Sequence, residues 1–244
     1  MSQDSALLIK DVDVFYKKFL AVEEINLDVR PGECFGLIGL NGAGKTTLIK
    51  TLLDLRMQDK GDIRIFNQPV SASAVKERLA FLPERFEPSW FLSGLEFLKF
   101  SALLYNHDLT DAQCVEFAKR ISLDPDALKR RVHTYSKGMR QKLGLLGTIL
   151  TGCDLLILDE PMSGLDPIAR AQVKELLLET KSKGCTIFLS SHILADMDEI
   201  CDRVAILHDK KIHFTGTPAD FREQNTAPTL ERAFLHFIEQ RDAA

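Results

Sequence analysis

The chain has 244 residues, 45% hydrophobic and 27% charged, the balance of an ordinary globular protein. A formal net charge of −4 argues against a nucleic-acid surface as the main function, and the basic cluster Lys129, Arg130 and Arg131 is short enough to be a solvated loop. No uninterrupted apolar stretch is long enough to span a bilayer, and MSQDSALLIK lacks a signal peptide's basic start, so any membrane involved is reached through a partner.

The first 38 residues read as strands. ALLIKDVDVFY and AVEEINLDV alternate apolar and polar residues, and Pro31-Gly32 turns the chain before the apolar CFGLIG. After Gly39 the pattern becomes an alternation of strands and helices. Residues 85–150 hold no convincing strand; Leu95 to Leu104 and Thr110 to Arg120 read as helices, the second opened by the capping-box spacing of Thr110 and Gln113. LLILD (155–159) and CTIFLS (185–190) are continuous apolar runs suited to buried parallel strands. The helix between them, Ala169 to Ser182, puts Val173, Leu176, Leu177 and Thr180 on one face and stops at Gly184. VAILHDKKIHF reads as a hairpin, and a tail helix follows with Leu230, Ala233, Phe234, Phe237 and Ile238 on one face. Cys34, Cys114, Cys153, Cys185 and Cys201 form no CxxC pair and suit a reducing compartment.

The densest local chemistry is GLNGAGKT, which matches G-x-x-x-x-G-K-[ST] between an apolar strand and the helical run TTLIKTLLDL. Gly39, Leu40, Asn41, Gly42, Ala43 and Gly44 offer backbone N–H groups to phosphate oxygens. Lys45 reaches the β- and γ-phosphates, the Thr46 hydroxyl coordinates Mg²⁺, and Thr47 continues the phosphate-binding run. The site is one for a nucleoside triphosphate. LLILDEPMSGLDP then carries Asp159 to the C-terminal end of a strand, where open α/β sheets bind ligands, so Asp159 suits the Mg²⁺ shell and the adjacent Glu160 can polarise an attacking water.

YSKGMRQK poses a question. Ser136 is placed to cap a helix, yet Gly138 weakens its first turn. A hydroxyl, a residue without a side chain and a free helix N-terminus together suit an anion.

These motifs occur in a telling order: GLNGAGKT at 39–46, YSKGM at 135–139, LLILDE at 155–160, SGLD at 163–166 and SSH at 190–192. In that order and spacing the chain resembles the ATP-binding cassette (ABC) ATPases, up to about residue 216. The resemblance implies an α/β fold: a P-loop NTPase core with a mainly parallel sheet, an N-terminal antiparallel β subdomain and a helical insertion at about 85–150. An ABC ATPase domain over 1–216 would be followed by a short helical tail over 217–244. It also implies ATP and Mg²⁺ as cofactors. Tyr16 would stack on adenine, Ser136 and Gly138 would contact the γ-phosphate of an ATP held by a second ATPase subunit, Ser163 to Asp166 would link the two sites, and His192 would sense the γ-phosphate. Two ATPs would then glue a dimer, expected to be a homodimer, which drives a separate transmembrane permease subunit from the cytoplasmic face of the cell membrane. No nucleic acid is expected, and the membrane is touched only through the permease.

Two departures stand out. Glu84 in FLPERF replaces the usual glutamine and can still ligate Mg²⁺; SKGM carries Lys137 and Met139 where glycine and glutamine are commoner. Both resemble the branch that serves exporters, as does the tail helix. RFEPSWFLSGLEF follows Glu84, and its Phe86, Trp90 and Phe91 either line the groove for a permease helix or fill the helical subdomain's core. A non-transport ABC ATPase acting on a macromolecular complex is the alternative, disfavoured by the acidic charge and by the lack of room for a coiled-coil arm between Lys45 and Ser136. A P-loop kinase or GTPase has no use for YSKGM, and no NKxD motif is present.

Overall fold

The structure, a computed structural model, describes residues 5–242. In chain order it runs β1 (Leu7–Tyr16), β2 (Phe19–Val29), β3 (Cys34–Ile38), α1 (Lys45–Leu52), β4 (Lys60–Ile65), β5 (Gln68–Pro69), α2 (Ser73–Lys76) and β6 (Leu79–Leu82). There follow α3 (Gly94–Leu103), α4 (Asp111–Arg120), α5 (Lys137–Ile149), β7 (Leu155–Asp159), α6 (Pro167–Ser182) and β8 (Thr186–Ser190). The chain ends with α7 (Leu194–Ile200), β9 (Arg203–His208), β10 (Lys211–Gly216), α8 (Pro218–Gln224) and α9 (Leu230–Asp242). The described residues pack as two compact units, one joining residues 5–75 with 188–242, the other Lys76–Ile187.

In the first unit the expected antiparallel sheet is present, in the order β2-β1-β4-β5. Leu7 pairs with Val29 and Tyr16 with Phe19, so β1 and β2 form a hairpin about a two-residue turn, with Lys17 at φ 58°. β1 buries Leu7, Ile9, Val12 and Val14, following the apolar alternation of the sequence. β3 runs parallel to β9, from Phe35 opposite Arg203 to Ile38 opposite Ile206, and every residue of β3 is buried. The Phe35 ring stacks on Phe188 with centroids 5.9 Å apart. β9 and β10 form the expected hairpin; Asp209 and Lys210 both take positive φ, as a tight two-residue β-turn requires. The tail helix α9 buries Leu230, Ala233 and Phe234, and its Phe237 packs against His208, His213 and Phe221 with centroids 5.8–5.9 Å apart.

In the second unit β6 and β7 pair in parallel, Leu79 with Leu155 through Leu82 with Leu158. Leu155, Leu156, Ile157 and Leu158 lose all solvent contact, each contributing about 1.5–3 kcal/mol of apolar burial. α4 opens with the expected capping box: the Thr110 hydroxyl accepts from Gln113 N, and Thr110 N donates to the Gln113 side chain. Two glycines of α5 seat aromatic rings, Phe97 of α3 and Phe86 from the segment before it. A Cβ on Gly144 would lie 2.6 Å from the Phe86 ring, and one on Gly147 would lie 2.6 Å from the Phe97 ring. Phe86 and Phe97 meet edge to face at 5.3 Å. All five cysteines are free thiols; burial pushes Cys153 up to about 11 and Cys185 up to about 12, so both stay protonated and unreactive at neutral pH.

Candidate nucleotide site

In the first unit, the segment between β3 and α1 folds as a loop in which the surroundings leave no room for a side chain at Gly39 or Gly44. Gly44, the N-cap residue of α1, has φ 114°. A Cβ there would lie 2.5 Å from Val22 Cγ1 and 2.8 Å from the Ala21 carbonyl oxygen, while one on Gly39 would lie 2.5 Å from the Leu207 carbonyl oxygen. On the open side, Leu40, Asn41, Gly42 and Thr46 are exposed, Ala43 and Thr47 half-buried. Ala43 N donates to Leu40 O at 3.2 Å, closing the turn. The buried Lys45 ammonium donates to Gly39 O at 2.7 Å and Leu40 O at 3.2 Å, so its charge sits at the mouth of the loop. Helix amides and a lysine gathered at a helix start are the elements of which a polyphosphate cradle is made.

Tyr16 ends β1 and is 42% exposed. His192 is exposed in the short link from β8 to α7, where Ile193 N donates to the Ser191 hydroxyl at 3.0 Å.

In the second unit, β7 delivers Asp159 and Glu160 side by side, both buried. Glu160 takes φ 51°, a left-handed conformation that costs a non-glycine residue about 1–3 kcal/mol and persists only when neighbours enforce it. The enforcing bonds are identifiable. The Glu160 carbonyl accepts from Ser163 N at 3.1 Å and from the Gln141 side chain at 3.3 Å, and Gln141 also donates to Pro161 O at 3.2 Å. Gln141 thus ties α5 to the backbone of the catalytic candidate. Sequence reasoning missed it, since Gln141 stands between Arg140 and Lys142 and reads there as one more polar residue. The SGLD loop that follows ends at Asp166, whose carboxylate caps α6 by accepting from Ala169 N at 2.9 Å; that bond holds its pKa below the usual carboxylate range.

The start of α5 is clamped. The buried Tyr135 hydroxyl donates to Ala127 O at 2.6 Å, Arg140 donates to Tyr135 O at 2.7 Å, and the exposed Ser136 caps the helix by accepting from Met139 N at 3.2 Å. Gly138 differs from the loop glycines at Gly39 and Gly44. A Cβ on it would meet nothing nearer than Gly164 O at 3.5 Å, an ordinary contact. Lys137 lies over the SGLD loop, its Cε 3.5 Å from where a Gly164 Cβ would sit. Glu84, exposed just after β6, shares a cleft of about 370 Å³ with Lys137, Arg140, Gln141 and Ser163. The two departures from the family pattern, Glu84 and Lys137, therefore line one cleft.

The aromatic stretch divides. Phe86 is half-buried, its ring seated on Gly144 and against Phe97, whereas Trp90 and Phe91 are 65% and 83% exposed. Their backbone is fixed, because Arg131 donates to Phe91 O and Val132 N donates to Leu92 O at 2.9 Å.

A walled glycine loop opening a helix, with a buried Asp-Glu pair ending a strand, defines a protein of the P-loop nucleoside triphosphate class. More narrowly, the chain belongs to the ABC transporter family, whose sequence model matches residues 22–163. It is 38% identical over 207 residues to an uncharacterized ABC transporter ATP-binding protein of Synechocystis, covering 84% of this chain and 58% of that protein. It is 34% identical over 207 residues to a fluoroquinolones export ATP-binding protein of Mycobacterium tuberculosis, covering 83% of this chain and 67% of that one. The solved ATP-binding subunit of an ABC transporter matches with a TM-score of 0.86 at 31% identity, over 95% of this chain and 98% of that one. The chain spans about three fifths of the Synechocystis relative (58%). Among the described residues, no helix is long and apolar enough to cross a membrane.

Proposed function

We propose that this chain is the ATP-hydrolysing subunit of an ABC transporter, which dimerises around two ATPs and drives a separate membrane subunit. Lys45 and the loop amides hold the β- and γ-phosphates, and Tyr16 stacks on adenine. Glu160 orients a water whose oxygen bonds to the γ-phosphorus as the bond to the bridging oxygen breaks, giving ADP and phosphate. His192 senses the γ-phosphate. The barrier falls through positioned charge, with no covalent enzyme intermediate. Mg²⁺ fits the donors on offer, since Thr46, Asp159 and Glu84 present only oxygen. When bound, it supplies positive charge against the phosphate oxygens. Trp90 and Phe91, held out by a fixed backbone, suit a permease helix; contact with the cytoplasmic face of the cell membrane then runs through that partner. The name of the M. tuberculosis relative supports export as the direction.

One observation carries the dimer: the space beside Gly138. Nothing in its own chain crowds that position, yet a glycine and an exposed hydroxyl stand at a helix N-terminus there. A phosphate arriving from a second subunit accounts for all three features.

Mixing two variants tests it. Ser136→Arg should bind ATP as a monomer but fail to associate; Lys45→Ala should fail at binding. Mixed, they form one composite site with both defects and one with neither, so nucleotide-dependent association should partly return, as read by light scattering without hydrolysis. If Ser136→Arg weakens monomer binding as much as Lys45→Ala does, the signature serves its own subunit's ATP and the two-site sandwich is wrong.

A further inference from the structure

Tyr16 has two ring faces, and one is taken. The Arg56 guanidinium lies over it, its Cζ 5.0 Å from the ring centroid. Arg56 is held there from three directions. Its backbone N–H and that of Leu55 both donate to Lys50 O, at 3.2 and 2.9 Å, fastening it to the last turn of α1. Its guanidinium donates to Phe15 O and stands 3.7 Å from the Asp59 carboxylate. That carboxylate in turn accepts from Phe15 N at 2.7 Å, and Asp59 N donates to Asp13 O at 2.9 Å. A short network therefore ties the end of the phosphate-binding helix to the strand end that carries Tyr16.

A stacking surface binds a base best when it is already fixed, because ordering a mobile ring on binding subtracts from the affinity. A cation on one face of a tyrosine fixes the ring and draws its π density away from the other face. We infer that Arg56 is a positioning residue for the nucleotide base: guanidinium, Tyr16 ring and purine form three layers, with the purine on the face that Arg56 leaves open. The inference rests on the reading of Tyr16 as the adenine platform.

The test compares MgATP with magnesium tripolyphosphate, which carries the phosphates but neither base nor ribose. Titration calorimetry on the purified chain should show Arg56→Met weakening MgATP binding roughly three- to tenfold, with tripolyphosphate binding unchanged. KM for ATP should rise by the same factor at constant kcat, Arg56→Lys should recover part of the loss, and Arg56→Met should add nothing in a Tyr16→Ala background. Equal losses for both ligands would make Arg56 a prop for α1 and overturn the inference. Unchanged or tighter MgATP binding would overturn it too, by showing Arg56 idle or seated on the base's own face. The underlying reading fails separately: if Tyr16→Ala leaves MgATP affinity intact, Tyr16 is not the platform and the inference falls with it. If Tyr16→Ala loses affinity and Arg56→Met does not, only the inference falls.

Discussion

The two glycine-bearing helix starts, at α1 and α5, look alike in sequence and differ in space. Around Gly44 the chain is closed: a φ of 114° and walls at 2.5 and 2.8 Å leave no room for any side chain. Around Gly138 the chain is open, with the nearest atom 3.5 Å from a notional Cβ. Glycine costs a helix about 0.5–1 kcal/mol relative to alanine. The first glycine is explained by its own subunit; nothing packed against the second accounts for that cost. On the proposed reading, one subunit holds a complete cradle and half of another.

The largest expected effect breaks the closed side. Gly44→Ala forces a Cβ into Val22 and Ala21 O and displaces the loop, which should weaken MgATP binding on the order of 100-fold, about 2.7 kcal/mol. Calorimetry with MgATP checks this, and near-normal affinity would mean that the loop yields where the packing says it cannot. Glu160→Gln separates chemistry from assembly. It should bind ATP normally yet turn over at least about tenfold slower, a barrier increase of about 1.4 kcal/mol. With hydrolysis slowed, the ATP-held dimer should persist longer in gel filtration, and turnover near the native rate would remove Glu160 from its role. The smallest effect has the most telling sign. Gly138→Ala should stabilise the isolated monomer by about 0.5 kcal/mol, raising Tm by about 1–2 °C, while weakening ATP-dependent association. A lower Tm would show that Gly138 is needed by its own chain after all, and the contrast with Gly44 would collapse.

Signals that lie within a few neighbouring residues were legible without coordinates. The β9–β10 hairpin, the Thr110–Gln113 capping box, the buried run of β7 and the loop GLNGAGKT each rest on local periodicity, caps or glycine spacing, so the sequence alone determined them. The left-handed Glu160 was not legible, because Gln141, nineteen positions away in sequence, helps to hold it. Nor was the division among Phe86, Trp90 and Phe91, three like residues sorted by whether Gly144 leaves a seat beneath them. Arg56 over Tyr16 and the walls of Gly44 likewise depend on segments brought together only by the packing of β1, β2 and α1. Local bonding fixes what a segment is. Which surface it meets, and hence whether a glycine is walled in or left open for another molecule, is set by close packing between distant segments, which no short stretch of sequence encodes.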